Sequence, residues 1–447
     1  MFTRHYAHWP PGLPKTLAVP RTSLYFNLQV SAARYPDKSA IHYYGADLAY
    51  ARLDAEVRAL AAYLAQACGV KRGERVLLYM QNSPQFVIAY YAILRADAVV
   101  VPVNPMNRSE ELRHYVEDSG ASTVIAGQEL WPQIEPLIGQ NAGESNAGGS
   151  RADGTQTDGA RAGSPKPGSA GLRRCLLAAY SDYIDPASDL PLPDFVRAPR
   201  LTAPSLAAAL WADALAAGLV PGEHLAGPDD LAVLPYTSGT TGKPKGCIHT
   251  HSTILCTANG GIAWGNVTSD AVVLGVLPMF HLTGMQGNMN TPIIAGATVV
   301  LMTRWDRDCA AELIQRRRVT GWTNITAMLV DFLANPKLEQ YDLSSLARIG
   351  GGGASMPQAV AQKLQDKFGL PYVEGYGLTE TAAPSHVNPV HRPKKQCAGI
   401  PYFDTDSRII DPESLAELGP NEVGEIVTHG PQVFHGYWNQ PDRKSVV

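Results

Sequence analysis

Apolar residues recur at Leu53, Val57, Leu60 and Leu64, and Gly69 and Gly73 then separate this stripe from the run Arg75-Val-Leu-Leu-Tyr-Met80. The first spacing predicts a helix with one buried face, and the run after the glycines predicts a buried strand. The same alternation continues. Phe86 to Arg95 reads as a helix, Ala98-Val-Val-Val-Pro102 as a strand ended by proline, Glu110 to Asp118 as a helix, and Ser122-Thr-Val-Ile-Ala126 as a strand. Helices and strands in strict alternation predict a parallel α/β sheet. Phe86 to Val103 is the most apolar stretch, yet Arg95 and Asp97 sit near its middle, which a membrane span of about 20 residues rarely tolerates. It reads as a buried helix running into a strand.

From about Gln140 to Gly171 the pattern stops. Gly, Ser, Ala, Asn, Asp and Thr dominate, with too little apolar surface to offset the entropy of ordering, so a disordered surface insertion is expected. After Leu206 the alternation resumes, with strands at Ala271–Leu277 and Ala297–Met302 and a helix from Cys309 to Arg318. Beyond Gly399 short runs such as Ser407-Arg-Ile-Ile410 and Gly424-Glu-Ile-Val-Thr428 alternate with Asp, Pro and Gly, which predicts a smaller β-rich subdomain over about 400–447. No internal repeat is apparent.

The 447 residues, 45% of them hydrophobic, can fill more than one subdomain core. Lys plus Arg total 37 against Asp plus Glu 41, so the chain lacks the basic field of a nucleic-acid binder and small-molecule partners are expected. The six cysteines, at 68, 175, 247, 256, 309 and 397, show neither a CxxC pair nor zinc-ligand spacing. Reduced thiols and a cytoplasmic location fit this usage, and the N-terminus lacks a secretory pattern.

The richest chemistry lies in Tyr236-Thr-Ser-Gly-Thr-Thr-Gly-Lys-Pro-Lys-Gly246, which follows the strand-like Leu231-Ala-Val-Leu234. Glycines let backbone N–H groups turn inward as an anion nest, Thr237, Ser238, Thr240 and Thr241 add hydroxyls, and Lys243 and Lys245 add charge. A polyphosphate satisfies these requirements. The Walker pattern does not hold, because Pro244 follows the Gly-Lys pair and Thr237 stands where the first glycine belongs. A solvated Ser/Thr/Gly linker would account for the composition but not for the ordered glycines, the two lysines and the strand ahead of them.

This run resembles the signature loop of the adenylate-forming superfamily, which includes acyl- and aryl-CoA synthetases, firefly luciferase and peptide-synthetase adenylation domains. Further similar motifs follow in the family's order: Leu277-Pro-Met-Phe-His-Leu282, Gly350-Gly-Gly-Gly-Ala-Ser-Met-Pro357, Gly375-Tyr-Gly-Leu-Thr-Glu380, Gly424-Glu-Ile and Gly436-Tyr-Trp438. The resemblance covers nearly the whole chain. It implies the large N-terminal body of these enzymes: two α/β subdomains with parallel-rich sheets, plus the β-rich subdomain.

The resemblance also implies roles. ATP would be cradled by Thr237, Ser238, Gly239, Thr240, Thr241, Gly242 and Lys243, with Lys245 at the reacting phosphates. Adenine would lie against Gly352, Gly353 and Ala354 and beside Glu374, Gly375, Tyr376 and Gly377, with Tyr376 stacked on it. Thr379 would reach the α-phosphate, and Glu380, seconded by Thr237, would hold Mg²⁺. A lone Glu is otherwise a solvated charge, and Gly375-x-Gly377 lacks the third glycine of a dinucleotide fold. His281 would position the acid, although a histidine in apolar surroundings is more often a hydrogen-bonded core residue. Thr250 and His251 read as helix-start residues. Met285 occupies the position, four residues after this histidine, where some long-chain synthetases carry a gating tryptophan.

The implied reaction is attack of a carboxylate, from a medium- or long-chain fatty acid, on the α-phosphate of ATP, then transfer of the acyl group to coenzyme A. The competing readings are an aryl-CoA ligase or other adenylating enzyme, and a non-catalytic nucleotide-binding fragment. The chain stops before the family's Thr-Gly-Asp motif and mobile C-terminal lid, so weak ATP binding and slow turnover are expected of it. Peripheral membrane contact to collect the acid and a homodimer are both compatible with the sequence. Everything depends on the loop near residue 240 and a turn at Tyr376–Glu380 facing each other across one crevice.

Overall fold

The computed structural model describes residues 3–139, 171–237 and 242–440. Two large sheets carry the chain. The first runs in the order Ala208–Leu210, Arg174–Ala178, Thr123–Gly127, Arg75–Tyr79, Val99–Val103, Leu231–Val233 and His249–Thr250. Its pairs are parallel except the last. The second has nine strands in the order Ile400–Pro401, Ala383–Val387, Tyr372–Leu378, Arg348–Gly351, Gly321–Asn324, Val272–Gly275, Thr298–Leu301, Ser39–Tyr43 and Ala46–Ala49. From Tyr372–Leu378 to Ser39–Tyr43 it is parallel, with antiparallel strands at both edges. Asp406–Ile410 and Glu425–His429 form a separate antiparallel pair. The expected insertion at 140–171 falls, but for Gly171, outside the described residues.

The helix Pro84–Arg95 shows why its sequence is nearly all apolar. Ser83 caps it by accepting from the Phe86 N–H, Pro84 stands in the first turn where its missing N–H is harmless, and every residue from Pro84 to Leu94 is buried. Its side chains join one continuous core with those of the helices Leu24–Arg34 and Tyr50–Gln66 and of both sheets. The charges at its end are answered: Arg95 donates to the Gly222 carbonyl at 2.6 Å, and Asp97 accepts from the Leu225 and Ala226 N–H groups. Among the described residues no helix is long and apolar enough to cross a membrane. The six cysteines are free thiols.

Glu129 lies just past the strand Thr123–Gly127. Burial raises its pKa to about 7, against the opposing hydrogen bond from Tyr180 at 2.9 Å. A carboxyl that binds its proton more tightly when folded contributes full stability below the ordinary Glu pKa, and that contribution is lost as pH rises through about 7. The loss is about 3 kcal/mol. Denaturant unfolding at pH 5 and pH 8 is therefore expected to show Glu129→Gln largely abolishing this decline; an unchanged pH profile would contradict the assignment.

Candidate active site

The strand Leu231–Val233 delivers the chain to a loop closed at its neck by backbone pairing. Tyr236 bridges Gly246, the Thr237 N–H donates to the Lys245 carbonyl at 3.0 Å, and the Lys245 N–H returns to Thr237 Oγ1 at 3.2 Å. The Tyr236 hydroxyl donates to Asp118 at 2.7 Å, and His114 Nε2 donates to the Pro244 carbonyl at 2.8 Å, so helix Ser109–Ser119 braces the neck. Gly242 and Lys243 are exposed beyond it. Ser238, Gly239, Thr240 and Thr241 lie outside the described residues.

The segment after the neck is held from two directions. His435–Trp438 runs antiparallel beside Gly246–Ile248, with Ile248 N–H to the Gly436 carbonyl at 3.0 Å and Trp438 N–H to the Gly246 carbonyl at 2.8 Å. This brings Tyr437 against Lys245, whose Nζ stands 4.2 Å from the ring centroid. The Tyr437 hydroxyl in turn donates to Glu380 Oε1 at 2.6 Å, and the Phe434 N–H donates to the Glu380 carbonyl at 2.8 Å. From the other side His249 Nε2 meets the Thr379 carbonyl at 2.8 Å. A carbonyl only accepts, so Nε2 carries the proton. Burial lowers the His249 pKa to about 4, which keeps the ring neutral near pH 7. The lysine-bearing loop and the Thr379–Glu380 segment are thus joined across Tyr437.

Directly before Thr379 the chain is a strand, Tyr372–Leu378, and not the turn its glycines suggest. Gly375 to Leu378 pair antiparallel with Ala383–Val387, and only Thr379–Thr381 curl into a single 3₁₀ turn. A cavity of about 290 Å³ opens beside this strand, lined among others by Gly350–Gly353, by Gly375–Gly377 and by Thr257, Gly261 and Trp264 of the helix His251–Trp264. The glycines are required by the backbone itself. A Cβ on Gly351 would fall 1.8 Å from the Asn324 carbonyl oxygen, and one on Gly377 would fall 1.7 Å from that of Ala383. Gly351→Ala is accordingly expected to lower stability by about 3 kcal/mol, read as a drop in Tm; an unchanged Tm would show that the strands can part without cost.

Tyr376 lines the cavity, as do Gly352 and Gly353. Glu374 does not: its carboxylate is taken up by the N–H groups of Met356 at 2.5 Å and Cys397 at 3.1 Å, so it ties down the chain after the glycine run. Ala354 is exposed outside the cavity lining. His281 precedes the short helix Leu282–Met285, lies on the exposed side beside Phe280, and is not in the lining, although surrounding protein lowers its pKa by desolvation. Thr283 and Gln286 take that wall instead. Met285 is fully buried in the core and cannot act at the cavity in its present position. Gln286 opens a π-helical turn, Gln286–Asn290, and is fixed by donating to the Ile254 carbonyl at 2.9 Å and accepting from Asn290 at 2.9 Å. Thr250 caps its helix by accepting from the Thr253 N–H, as its sequence position suggests.

The family model for AMP-binding enzymes matches residues 28–438. The chain belongs to this family. It is 31% identical over 454 residues to a long-chain-fatty-acid–CoA ligase of Bacillus subtilis, covering 99% of this chain and 75% of the relative. It is also 31% identical over 414 residues to a feruloyl-CoA synthase of an Amycolatopsis species, covering 92% of this chain and 71% of that one. Among solved structures, the inhibitor-bound N-terminal domain of FACL13 from Mycobacterium tuberculosis superposes with a TM-score of 0.75 at 25% identity, covering 94% of this chain and 92% of that one. This AMP-binding enzyme is therefore an ATP-using acid–thiol ligase with a mixed α/β, parallel-rich body. Three residues of its candidate site were not singled out by sequence: His249, Tyr437 beyond its motif, and Arg348. Tyr437 lies within the Gly436-Tyr-Trp438 motif and Arg348 just ahead of a glycine run, whereas His249 carried no local signal.

Proposed function

We propose that this AMP-binding enzyme activates a medium- or long-chain fatty acid as acyl-AMP, releasing pyrophosphate, and then passes the acyl group to coenzyme A. The observation that supports this reading most is the row Lys245–Tyr437–Glu380, which ties the lysine-bearing loop to the segment that continues the chain directly from the cavity-lining Gly375–Gly377. A cation and a carboxylate flank Tyr437, and Glu380 follows by three residues the Gly377 that lines a half-open, largely apolar recess. The acyl chain occupies the recess, adenine lies against the glycine run and Tyr376, and the phosphates lie between Lys245 and Thr379. Lys245 offsets charge on the departing pyrophosphate, and the recess excludes water from the mixed anhydride.

Magnesium is the metal this reading implies, and the residues present fit it. Among the described residues no group of three or more His, Cys, Asp or Glu could cage an ion, whereas Mg²⁺ is usually held by one or two carboxylates plus substrate phosphates. Glu380 supplies such a carboxylate, its Oε1 accepting from Tyr437. When bound, the metal adds electrophilic assistance at the phosphates. Thr237 is its second candidate ligand.

An aromatic acid is the second reading, supported by the feruloyl-CoA synthase likeness and by Trp264, Tyr376 and Tyr402 in the cavity wall. Exchange of labelled pyrophosphate into ATP across a panel of fatty and aromatic acids tests both, together with calorimetric titration of ATP. Fatty acids are expected to stimulate exchange more than aromatic ones. Preference for cinnamic-type acids would move the assignment to the aryl class, and absence of both exchange and ATP binding would overturn the reading.

A further inference from the structure

Arg348 opens the strand Arg348–Gly351, and its register partner is Gly321, itself paired with Val273. Register partners in neighbouring strands point to the same face of a sheet. The guanidinium therefore lies on the face where Val273, Gly321, Thr323 and Gly350 line the cavity. The other face is filled by Trp322, stacked on Trp305 at 5.3 Å. The sequence places glycine at 321, which leaves room for a long side chain beside it.

Above Arg348 stands the C-terminal end of the helix His251–Trp264, so close that a Cβ on Gly265 would fall 2.7 Å from Nη1. A cation is favoured at a helix end. Yet among the described residues no carboxylate or carbonyl is paired with this guanidinium, and burial alone acts on its pKa, lowering it. A guanidinium presents five donors in a planar fork, and those of half-buried Arg348 border the cavity with no acceptor among the described residues. Here the fork faces the cavity in which the acyl chain is seated, and a carboxylate at the far end of that chain would supply the acceptor.

We propose that Arg348 receives a second carboxylate at the remote end of the acid, which makes α,ω-dicarboxylic acids the preferred substrate class. This rests on the acid-activating reading above and specifies its substrate. A carboxylate matches the guanidinium fork through two parallel hydrogen bonds. Strands rise about 3.3 Å per residue, so Arg348 stands roughly 10 Å from Gly351 at the nucleotide end, a separation suited to a diacid of medium length.

The test compares octanoyl-sulfamoyl adenosine with its suberyl counterpart, which carries a terminal carboxylate in place of the methyl, by calorimetric titration into the full chain. The suberyl compound is expected to bind about tenfold tighter or more, as charge-assisted hydrogen bonds supply, and its methyl ester is expected to fall back to the octanoyl level. Arg348→Met, checked by thermal melting, is expected to remove or reverse the preference. Equal or weaker binding of the suberyl compound by the wild-type chain overturns the proposal without recourse to the variant. An unchanged preference in a folded Arg348→Met also overturns it. If the octanoyl compound binds and the suberyl one does not, only the Arg348 assignment fails; if neither binds, the acid-activating reading fails with it.

Discussion

Replacing Lys245 and Glu380 together with alanine is expected to weaken Mg·ATP binding roughly 100-fold or more while the protein still folds. Each side chain offers a charged partner to the phosphates or their metal, and a hydrogen bond to a charged group contributes about 1.5–3 kcal/mol. Neither belongs to a hydrophobic core cluster. The double variant loses the contacts of Tyr437 with Glu380 and Lys245, a polar change at the cleft that is expected to cost about 1 kcal/mol of stability. Calorimetric titration of ATP with and without magnesium, alongside a thermal melt, measures both quantities. Undiminished affinity with a normal melt would remove the two residues from the nucleotide site.

Tyr437 carries the second large effect because it touches both charged residues at once. Tyr437→Phe keeps the ring under Lys245 but deletes the donor to Glu380, so about tenfold weaker Mg·ATP binding is expected, with the deficit concentrated in the magnesium-dependent part. Tyr437→Ala removes the platform as well and is expected to lose roughly another factor of ten. A phenylalanine variant indistinguishable from wild type, paired with a crippled alanine variant, would show that the ring matters and the hydroxyl does not. Equal binding by all three would show that the 435–438 segment merely packs beside the loop.

The sequence made the parallel framework legible because buried strands and amphipathic helices write their burial locally. The run Arg75–Met80 became the strand Arg75–Tyr79, and Phe86–Arg95 became Pro84–Arg95 once Ser83 and Pro84 set its start. The stretch around Gly375 was harder. Its glycines signal a turn, yet strand pairing needs only backbone groups, and the neighbouring strand comes too close for any Cβ at Gly377. What stayed invisible was tertiary. The Glu380–Tyr437 bond spans 57 residues and the His249–Thr379 bond 130, so no local pattern announces either. Glu374 shows the converse: a carboxylate inside a binding motif whose hydrogen bonds go to Met356 and Cys397, holding the chain and leaving the cavity to its neighbours.

That division has a physical basis. Alternation reports how residues meet solvent, which each segment decides for itself, whereas the identity of a hydrogen-bond partner is decided only when the sheets pack. The antiparallel run of His435–Trp438 along Gly246–Ile248 is what brings the neck of the lysine-bearing loop and the Thr379–Glu380 segment to opposite sides of Tyr437. Its own sequence, Gly436-Tyr-Trp438, gives no hint of which strand it will meet.

The most direct test is a co-crystal structure of the chain with a non-hydrolysable acyl-adenylate. Adenine should lie between the Gly350–Gly353 run and Tyr376, the phosphate surrogate within reach of Thr379 and Lys245, and the acyl group inside the cavity beside Gln286. Density for the ligand anywhere else, with the cavity beside Tyr376 left empty, would contradict the account.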